Sequence, residues 1–396
     1  MKSLVFYLHA HQPRRFRPFT FFDMGENSHY FDDELNRRII NQVSDRSYIP
    51  TIRLLLRLLK KYPGTFSVSL SICGTLIDQL KSFRPDVLDL FVELAASNNV
   101  ELVAETYNHS LAYFYDRDEF KRQVIKHRNA LHKLFGQQPR VFRNTELAYD
   151  NMLPSVLHEM GFDAVLTEGA DQVLNGRSPN VIYKSATTPD LKVLLRNHSF
   201  SNDIAFRFSD RNWQDYPLTP DKFMNWLYHA DGDLVNLFID MEVLGEHQKR
   251  ESGIFAFIES LVSSISKFKK LKFVTPSIAI QKYKIKGALD VTHPVSWADQ
   301  ERDLSAWCGN AMQSEAIRRI YTLGQEIKKS EDKKLISDWA ELQVSDNYYY
   351  ICTKGYTDGK IHSYFSPYRS PYDAYIYLMN IMSDLELRMH KEPMLV

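Results

Sequence analysis

Short apolar segments alternate with longer amphipathic segments between residues 3 and 274. Runs of a few Val, Ile, Leu and Phe residues are typical of buried strands, and apolar residues spaced by three and four positions predict helices between them. Because parallel strands need a crossover connection, usually a helix, this alternation favours a parallel sheet. We therefore predict an α/β fold, and about seven strands favour a barrel over an open sheet.

The predicted elements follow one another without an internal repeat or a low-complexity linker. Pro85 suits the first turn of a helix, and Gly136 and Gly161 suit the positions just after helix ends. Strands are predicted at residues 3–8, 65–71, 100–104, 140–143, 163–166, 192–195, 204–206, 234–239 and 272–274. Helices are predicted at residues 48–61, 85–97, 118–135, 152–160, 220–229 and 251–269.

Two regions depart from this alternation. Residues 9–47 are polar and aromatic without clean periodicity, and a loop of that length in a compact protein usually forms a lid or a binding loop. From residue 296 onwards, helices are predicted at 311–330 and 373–387, whereas the aromatic-rich segment 342–352 fits either class. We therefore predict a barrel in residues 1–295 and a helical region in residues 296–396 that packs on it and contributes to its site.

Composition narrows the class of partner. Lys plus Arg equals Asp plus Glu, at 49 each, so no net field draws the chain to nucleic acid or to an anionic membrane. His9 interrupts the first apolar run, which is shorter than the core of a signal peptide, and no run of about 18 apolar residues predicts a membrane span. Three widely separated cysteines suit a reducing compartment rather than a disulfide framework or a clustered zinc site. These features predict a soluble, cytoplasmic protein with a neutral ligand.

Polar clusters follow the predicted strands at their carboxyl ends, where α/β barrels place their chemistry. Asp240 and Glu242 follow the strand at 234–239, and they point in the same direction if the extended backbone continues. His9 and His11 share a face for the same reason. The complete set comprises His9, His11 and Gln12; Glu105 and His109; Arg143, Asn144, Thr145 and Glu146; Asp240, Glu242 and His247; and Trp297, Asp299, Asp303, Trp307 and Asn310.

Each cluster taken alone also fits another role. The paired histidines can bind a divalent metal or hydrogen-bond a polyhydroxylated ligand. Asn144 or Thr145 can cap a helix that has Glu146 in its first turn, and the tryptophans can belong to the core. It is improbable that all of these separate roles apply at once, because the ends of successive barrel strands converge in space and would bring the clusters together.

The residues that would converge suit a carbohydrate ligand. Aromatic rings cover the apolar faces of sugars, carboxylates and amides bind hydroxyl groups, and a pair of carboxyl groups can break a glycosidic bond. Phosphate chemistry would call for a glycine-rich loop with a lysine, and a serine hydrolase would call for a Gly-x-Ser-x-Gly turn. The sequence contains neither pattern.

Five segments resemble, in order, the five sequence regions of glycoside hydrolase family 57. They are HAHQP at 9–13, ETYNH at 105–109, FRNTEL at 142–147, FIDMEVLGEH at 238–247 and SWADQERDLSAWCGN at 296–310. They are most similar to the α-amylase branch of the family, which the segment 342–374 also resembles. The resemblance spans nearly the whole chain, and five ordered segments are far more specific than any one of them.

The resemblance implies an incomplete seven-stranded (β/α)7 TIM-like barrel with a C-terminal α-helical region. It implies a retaining enzyme for α-1,4-linked glucans such as starch, glycogen and maltooligosaccharides, with no metal and no cofactor. The nucleophile falls on Glu146 and the general acid/base on Asp240, whose carboxyl groups should lie about 5–5.5 Å apart for retention. The candidates for sugar contacts are His9, His11, Gln12, Glu105, His109, Glu242, Trp297, Asp303 and Trp307.

Three other functions are compatible with these residues. A 4-α-glucanotransferase or a branching enzyme would use the same two carboxylates, and some transferases of the family carry a glutamate where this chain has His109. A metal-dependent polysaccharide deacetylase or mannosidase would use His9 and His11 as ligands, although the sequence shows no obvious third ligand. A non-catalytic glucan-binding protein would keep its role after the loss of Glu146.

Overall fold

The computed structural model describes residues 2–268, 270–354 and 366–390. The strands are β1 (Lys2–Ala10), β2 (Val68–Ile72), β3 (Val100–Leu102), β4 (Val141–Arg143), β5 (Ala164–Glu168), β6 (Ile182–Ser185), β7 (Lys192–Arg196), β8 (Leu234–Asp240), β9 (Leu244–Gly245), β10 (Gln248–Lys249), β11 (Leu271–Phe273) and β12 (Ile285–Leu289). The helices are α1 (Asp33–Val43), α2 (Ile49–Lys61), α3 (Gly74–Phe83), α4 (Pro85–Ala95), α5 (Ala112–Tyr115), α6 (Arg117–Phe135), α7 (Leu153–Glu159), α8 (Asp171–Leu174), α9 (His198–Asn202), α10 (Pro220–His229), α11 (Ile254–Lys267), α12 (Pro276–Lys282), α13 (Ser305–Cys308), α14 (Ala311–Ile327), α15 (Lys333–Leu342), α16 (Asp346–Tyr349) and α17 (Pro371–His390).

β1 organises the first of two five-stranded sheets. It pairs in parallel with β8 along most of its length, with β2 near its carboxyl end and with β11 near its amino end, and β3 pairs in parallel with β2. The second sheet has the order β12-β6-β7-β5-β4, and its β6–β7 pair is antiparallel while its other pairs are parallel. The predicted α/β fold with parallel sheets is confirmed.

Two backbone contacts connect the sheets. Ala104, which follows β3, forms a parallel bridge with Phe142 of β4. The N–H of Asn197, which follows β7, donates to the carbonyl of Asn236 in β8 at 2.9 Å. Because the bridged and paired strands run in the same direction, β1, β3, β4 and β8 end on the same side of the molecule. The incomplete seven-stranded barrel and the domain division after residue 295 stay predictions.

β8 shows how burial on both faces produces an apolar run. Leu234, Val235, Leu237, Phe238 and Ile239 are each at most 1% exposed. A strand that is covered on both faces needs apolar side chains on both, so its sequence is continuously apolar instead of alternating. None of the described helices is long and apolar enough to cross a membrane.

Two short antiparallel bridges lie near the strand ends, one made by the C-terminal region and one by the residue just before it. Val344, which follows α15, pairs with Ser110, and Val295 pairs with Tyr149. α14 and α15 pack closely, since a Cβ atom on Gly324 would lie 2.2 Å from the ring of Trp339. This packing holds the residues that follow α15 beside the carboxyl ends of the strands.

The structure corrects two predicted segments. The predicted strand at 204–206 is wrong, because these residues belong to a π turn (Asp203–Arg207), and three apolar residues are too few to separate the two periodicities. The segment 9–47 is not a continuous loop, because it contains α1, which begins after the capping residue Asp32. β6, β12, α3 and α15 were not predicted; β12 is an edge strand that buries only Leu289 and therefore has no apolar run.

Candidate active site

β1 and β8 bring two of the predicted clusters together. Their parallel register pairs His9 with Asp240 at the end of the ladder, and Nδ1 of His9 lies 3.0 Å from Oδ1 of Asp240. The strand ends at Asp240 and a 3-10 turn (Met241–Val243) follows, so the backbone is not extended between Asp240 and Glu242. The turn nevertheless directs Glu242 inward, where the residue is 5% exposed.

A chain of hydrogen bonds joins Asp240 to Glu146. His9 contacts Asp240 through Nδ1 and Oε2 of Glu105 through Nε2, at 3.0 and 3.3 Å. His109 contacts the same Glu105 oxygen through Nδ1 and Oε1 of Glu146 through Nε2, at 3.0 and 3.1 Å. Glu105 is fully buried, and both histidines are 2% exposed. Five residues predicted from four separate segments therefore form one continuous polar cluster.

Glu146 receives donors on both carboxylate oxygens. Oε1 accepts from His109 at 3.1 Å and from the hydroxyl of Ser345 at 2.9 Å, and Oε2 accepts from the indole N–H of Trp297 at 2.8 Å. The backbone of Glu146 and Leu147 has φ values of 59° and 53°. This left-handed conformation costs a non-glycine residue about 1–3 kcal/mol and persists only where surrounding contacts enforce it. The fold therefore fixes the direction of the Glu146 side chain.

The turn that carries Glu146 is not a helix cap. The side-chain amide of Asn144 donates to the carbonyl of Ala148 at 3.0 Å, and the hydroxyl of Thr145 lies 2.8 Å from that of Thr106. Asn144 makes no side-chain cap to the 3-10 turn that begins at Thr145. The capping role considered for Asn144 and Thr145 is therefore wrong, and both side chains instead shape the turn.

His109 and Glu146 stabilise each other's charged forms. Burial disfavours a charge on His109, but its hydrogen bonds and attraction to Glu105 and Glu146 outweigh burial and raise the pKa of His109 to about 9. Burial likewise disfavours a Glu146 carboxylate. The hydrogen bond and charge of His109, the charge of Arg143 and the N–H of Trp297 outweigh it and lower the pKa of Glu146 well below its usual value. At neutral pH the pair is an imidazolium and a carboxylate.

Glu242 lies in the opposite kind of environment. Its Oε1 accepts from the hydroxyl of Tyr48 and from the backbone N–H of His11. Burial and then the negative charge of Asp240 raise the pKa of Glu242 to about 7. A carboxyl group with this pKa is partly protonated near neutral pH, so it can both donate and accept hydrogen bonds.

His11 connects the cluster to the C-terminal region. Its Nε2 lies 2.8 Å from Oδ2 of Asp346, its Nδ1 lies 2.8 Å from the sulfur of Cys73, and its ring stacks on that of His109 with centroids 3.9 Å apart. Burial and the nearby charge of His109 lower the pKa of His11 to about 4. A neutral His11 donates from Nε2 to the Asp346 carboxylate, which leaves Nδ1 to accept from the Cys73 thiol.

Three predicted site residues have other partners. The side-chain carbonyl of Gln12 accepts from the guanidinium of Arg15 at 2.9 Å. Oδ1 of Asp303 accepts from the backbone N–H of Ser305 at 2.8 Å, which orders the start of the short helix α13. Trp307 is 1% exposed and packs within the core. Contact of Gln12, Asp303 and Trp307 with a sugar stays a prediction.

Two groups of side chains have the composition of a metal site. One contains His9, Glu105 and His109, and the other contains His11, His109 and Asp346; within each, one ligand atom per residue lies within 4.8 Å of the others. Both groups need a nitrogen of His109, and both nitrogens of this ring already contact carboxylates. A metal ion here would therefore require a neutral His109 and the loss of one of these contacts.

Three residues of the cluster were not predicted. Ser345 and Asp346 lie within the segment 342–374 that resembles the family, and three adjacent polar residues, Ser345 to Asn347, in a largely apolar and aromatic stretch were the available signal. Tyr48 ends a π turn (Ser44–Tyr48) and contacts Glu242, and no local pattern distinguishes it from a core tyrosine.

The sequence pattern of the family described as "Glycosyl hydrolase family 57" matches residues 5–292. The chain belongs to this family. It is also 40% identical over 400 residues to a Methanocaldococcus jannaschii protein named "Putative alpha-amylase", and this alignment covers 97% of the chain and 84% of the relative. The two matches confirm the resemblance and show that this family 57 chain is a glycoside hydrolase.

Solved structures share its fold. A GH57 branching enzyme from Thermococcus kodakaraensis is similar with a TM-score of 0.70 at 14% identity, over 98% of this chain and 90% of that one. A 4-alpha-glucanotransferase from Thermococcus litoralis is similar with a TM-score of 0.64 at 16% identity, over 88% of this chain, which spans 56% of the transferase. At these identities the similarity shows the fold alone.

Proposed function

We propose that this family 57 member is a retaining hydrolase of α-1,4-linked glucans, with Glu146 as the nucleophile and Asp240 as the general acid/base. The observation that carries the proposal is the difference between the two carboxyl groups. Three side-chain donors hold Glu146, which suits a nucleophile that must stay ionised. The side chain of Asp240 is 40% exposed and has one hydrogen-bond partner, His9, among the described residues. This suits a group that must gain and lose a proton.

The reaction takes place in two displacements. In the first, a carboxylate oxygen of Glu146 bonds to the anomeric carbon while the bond from that carbon to the glycosidic oxygen breaks. Asp240, protonated, gives its proton to the departing oxygen, which leaves as an alcohol. In the second, Asp240 takes a proton from water, the water oxygen bonds to the anomeric carbon, and the ester to Glu146 breaks. Two inversions at one carbon restore the original configuration.

The buried histidines keep these charges in place. The imidazolium of His109 stabilises the Glu146 carboxylate before attack and again as the ester breaks. Glu105 holds His109 at its other nitrogen, and the same carboxylate oxygen holds His9, which contacts Asp240. The orientation of both proposed catalytic groups therefore depends on one buried glutamate. Glu242 and His11 extend the polar surface and suit sugar hydroxyl groups.

We also infer that the two sheets form the incomplete seven-stranded barrel and that residues 296–396 complete the site as a helical region. The contacts of Ala104 with Phe142 and of Asn197 with Asn236 support the first inference. The hydrogen bond from Ser345 to Glu146 supports the second.

Product analysis tests the proposed activity. The chain and its Glu146→Gln and Asp240→Asn variants are incubated with soluble starch, glycogen and maltooligosaccharides. We expect shorter maltooligosaccharides from the unaltered chain and severe losses in both variants. Longer oligomers would instead indicate a 4-α-glucanotransferase or branching enzyme. Loss of activity with a chelator would indicate a metal-dependent enzyme, and glucan binding that Glu146→Gln leaves intact without turnover would indicate a binding protein.

A further inference from the structure

Arg143 is the last residue of β4. Its charge is buried and has no role in the two displacements described above. Its side chain is fully buried, and none of its three guanidinium nitrogens has a hydrogen-bond acceptor among the described residues. It forms an ion pair with Glu105, in which a guanidinium nitrogen lies 4.0 Å from Oε2. Burying a charged group without hydrogen-bonded partners is costly, so stability alone does not explain an arginine at this position.

The guanidinium lies against the indole of Trp297. Its central carbon is 5.0 Å from the centroid of the ring, which is within the range of about 6 Å for a cation–π interaction. The indole N–H donates to Oε2 of Glu146 at 2.8 Å and is the only donor to that oxygen in the part of the chain that the structure describes. A cation against the ring attracts its π electrons, and polarisation of this kind strengthens the N–H as a donor.

Arg196 provides a comparison within the same site. Its guanidinium carbon is 5.6 Å from the centroid of the Trp297 ring. Its three nitrogens, however, donate to a backbone carbonyl, a carboxylate and a side-chain amide oxygen at 2.7–2.9 Å. These three hydrogen bonds give Arg196 a structural role. Arg143 instead lies against the ring of Trp297 and near the charge of Glu105. Replacing Arg143 therefore removes no comparable set of hydrogen bonds among the described residues.

We propose that Arg143 is a positioning residue that acts through Trp297: its guanidinium holds the indole so that the N–H stays directed at Oε2 of Glu146. This inference rests on the proposed function of Glu146. The local charges support it, because the carboxylates of Glu105 and Glu146 both interact with His109 and with Arg143. The charge of Arg143 is also among the causes that lower the pKa of Glu146.

A double-mutant cycle tests whether Arg143 acts through the indole. Arg143→Met removes the charge and keeps an unbranched side chain, and Trp297→Phe keeps an aromatic ring but removes the N–H. We expect Arg143→Met to lower kcat/KM about 10- to 100-fold and to move the acidic limb of its pH profile to higher pH. In the Trp297→Phe background the same change should cost less than about 3-fold. Equal losses in the two backgrounds would overturn the inference.

A second readout does not depend on turnover. The chain has five tryptophans, so subtracting the fluorescence of Trp297→Phe from that of the unaltered chain isolates the emission of Trp297. The change in this emission with falling pH reports protonation of the neighbouring Glu146. We expect the midpoint at a higher pH in Arg143→Met and at an intermediate pH in Arg143→Lys, which keeps the charge but not the planar group. An unchanged midpoint would overturn the inference. A shifted midpoint in a chain that cleaves no glucan would contradict the proposed function alone.

Arg140→Met is the matched control. Arg140 precedes the same strand and pairs with Asp163 at the surface, with 63% of its side chain exposed. Its replacement removes the same charge, and we expect the midpoint and the pH profile to stay unchanged. If Arg143→Met does not fold, as judged by circular dichroism, Arg143→Lys decides the question. A midpoint above that of the unaltered chain supports the inference, and an identical midpoint overturns it.

Discussion

The Glu146 end and the Asp240 end of the proposed catalytic pair are built differently. The side chain of Glu146 is 14% exposed, its backbone is in a strained conformation, and three side chains donate to it. The side chain of Asp240 is 40% exposed at the end of a regular strand, with His9 as its hydrogen-bond partner. One carboxyl group is fixed in direction by its donors, and the other is accessible to solvent and has fewer contacts.

The C-terminal region produces much of this difference. Two of the donors to Glu146, Trp297 and Ser345, come from beyond residue 295. Among the described residues, no side chain from that region hydrogen-bonds to Asp240. The strands therefore place two carboxyl groups at one end of the sheets, and the C-terminal region makes them unlike each other.

The largest expected effect is the loss of the nucleophile. Glu146→Gln should lower kcat by about 10⁵-fold, because no covalent intermediate can form. Asp240→Asn should cost about 10²- to 10⁴-fold, the usual contribution of a general acid/base. Steady-state kinetics on maltooligosaccharides measures both. Glu101→Gln is the control, since this half-buried carboxylate contacts Ser277 and none of the cluster residues. A larger loss of kcat in Asp240→Asn than in Glu146→Gln would contradict the assignment of Glu146 as the nucleophile and Asp240 as the general acid/base.

Replacing His109 and replacing His9 should have different effects on activity, because each histidine contacts a different member of the proposed catalytic pair. His109→Gln should lower kcat/KM about 10²- to 10³-fold, because the carboxylate loses a charged donor in a buried site. The pKa of Glu146 then rises, so the acidic limb of the pH profile moves to higher pH. His9→Gln should cost only about 10-fold, because it removes a hydrogen bond to the more exposed group. If His9→Gln moved the acidic limb as far as His109→Gln, the two ends would not differ as described.

The charge on His109 should also appear in the pH dependence of stability. The pKa of His109 is raised from 6.5 to about 9 in the folded chain. The resulting contribution to the free energy of unfolding, about 3 kcal/mol, is fully present below about pH 6.5 and is lost as the pH rises through about 9. Urea unfolding near pH 6 and near pH 10 measures it. The His109→Gln variant should lack this part of the decrease, and an equal decrease in both proteins would contradict a protonated His109.

A small effect, comparable with that of His9→Gln, is expected from the hydroxyl donor to Glu146. Ser345→Ala removes one hydrogen bond to a charged oxygen of Glu146 and should lower kcat about 10-fold. KM should change little, because Ser345 contacts the carboxylate. Ser266→Ala, which removes a hydroxyl from the outer helix α11, is the control. A loss as large as that of His109→Gln would show that charge on the donor does not decide how well Glu146 is stabilised.

The sequence predicts the strand-end cluster well because local patterns carry it. The run that becomes β8 is apolar throughout, and the acid that follows it, Asp240, must lie at the end of a buried strand. The same reasoning placed His9, Glu105 and Glu146, which the structure brings together.

The rest of the site depends on contacts that local patterns do not encode. Ser345 is 199 residues from Glu146, and its role appears only when the region after α15 is placed against the strands. Trp297 and Trp307 occur in one predicted cluster, yet the first donates to Glu146 and the second is buried in the core. Spacing alone cannot distinguish them, because their environments come from different packed layers.

The most direct test of the difference between the two ends is to identify the residue that carries the glycosyl group. In Asp240→Asn, α-maltotriosyl fluoride can form the intermediate without a general acid, because fluoride leaves readily, while breakdown lacks its base. Mass spectrometry of a digest should find a maltotriosyl group on the peptide that contains Glu146, and none when Glu146→Gln is added. A label on Glu105 or Glu242, or products of inverted configuration without a label, would contradict Glu146 as the nucleophile.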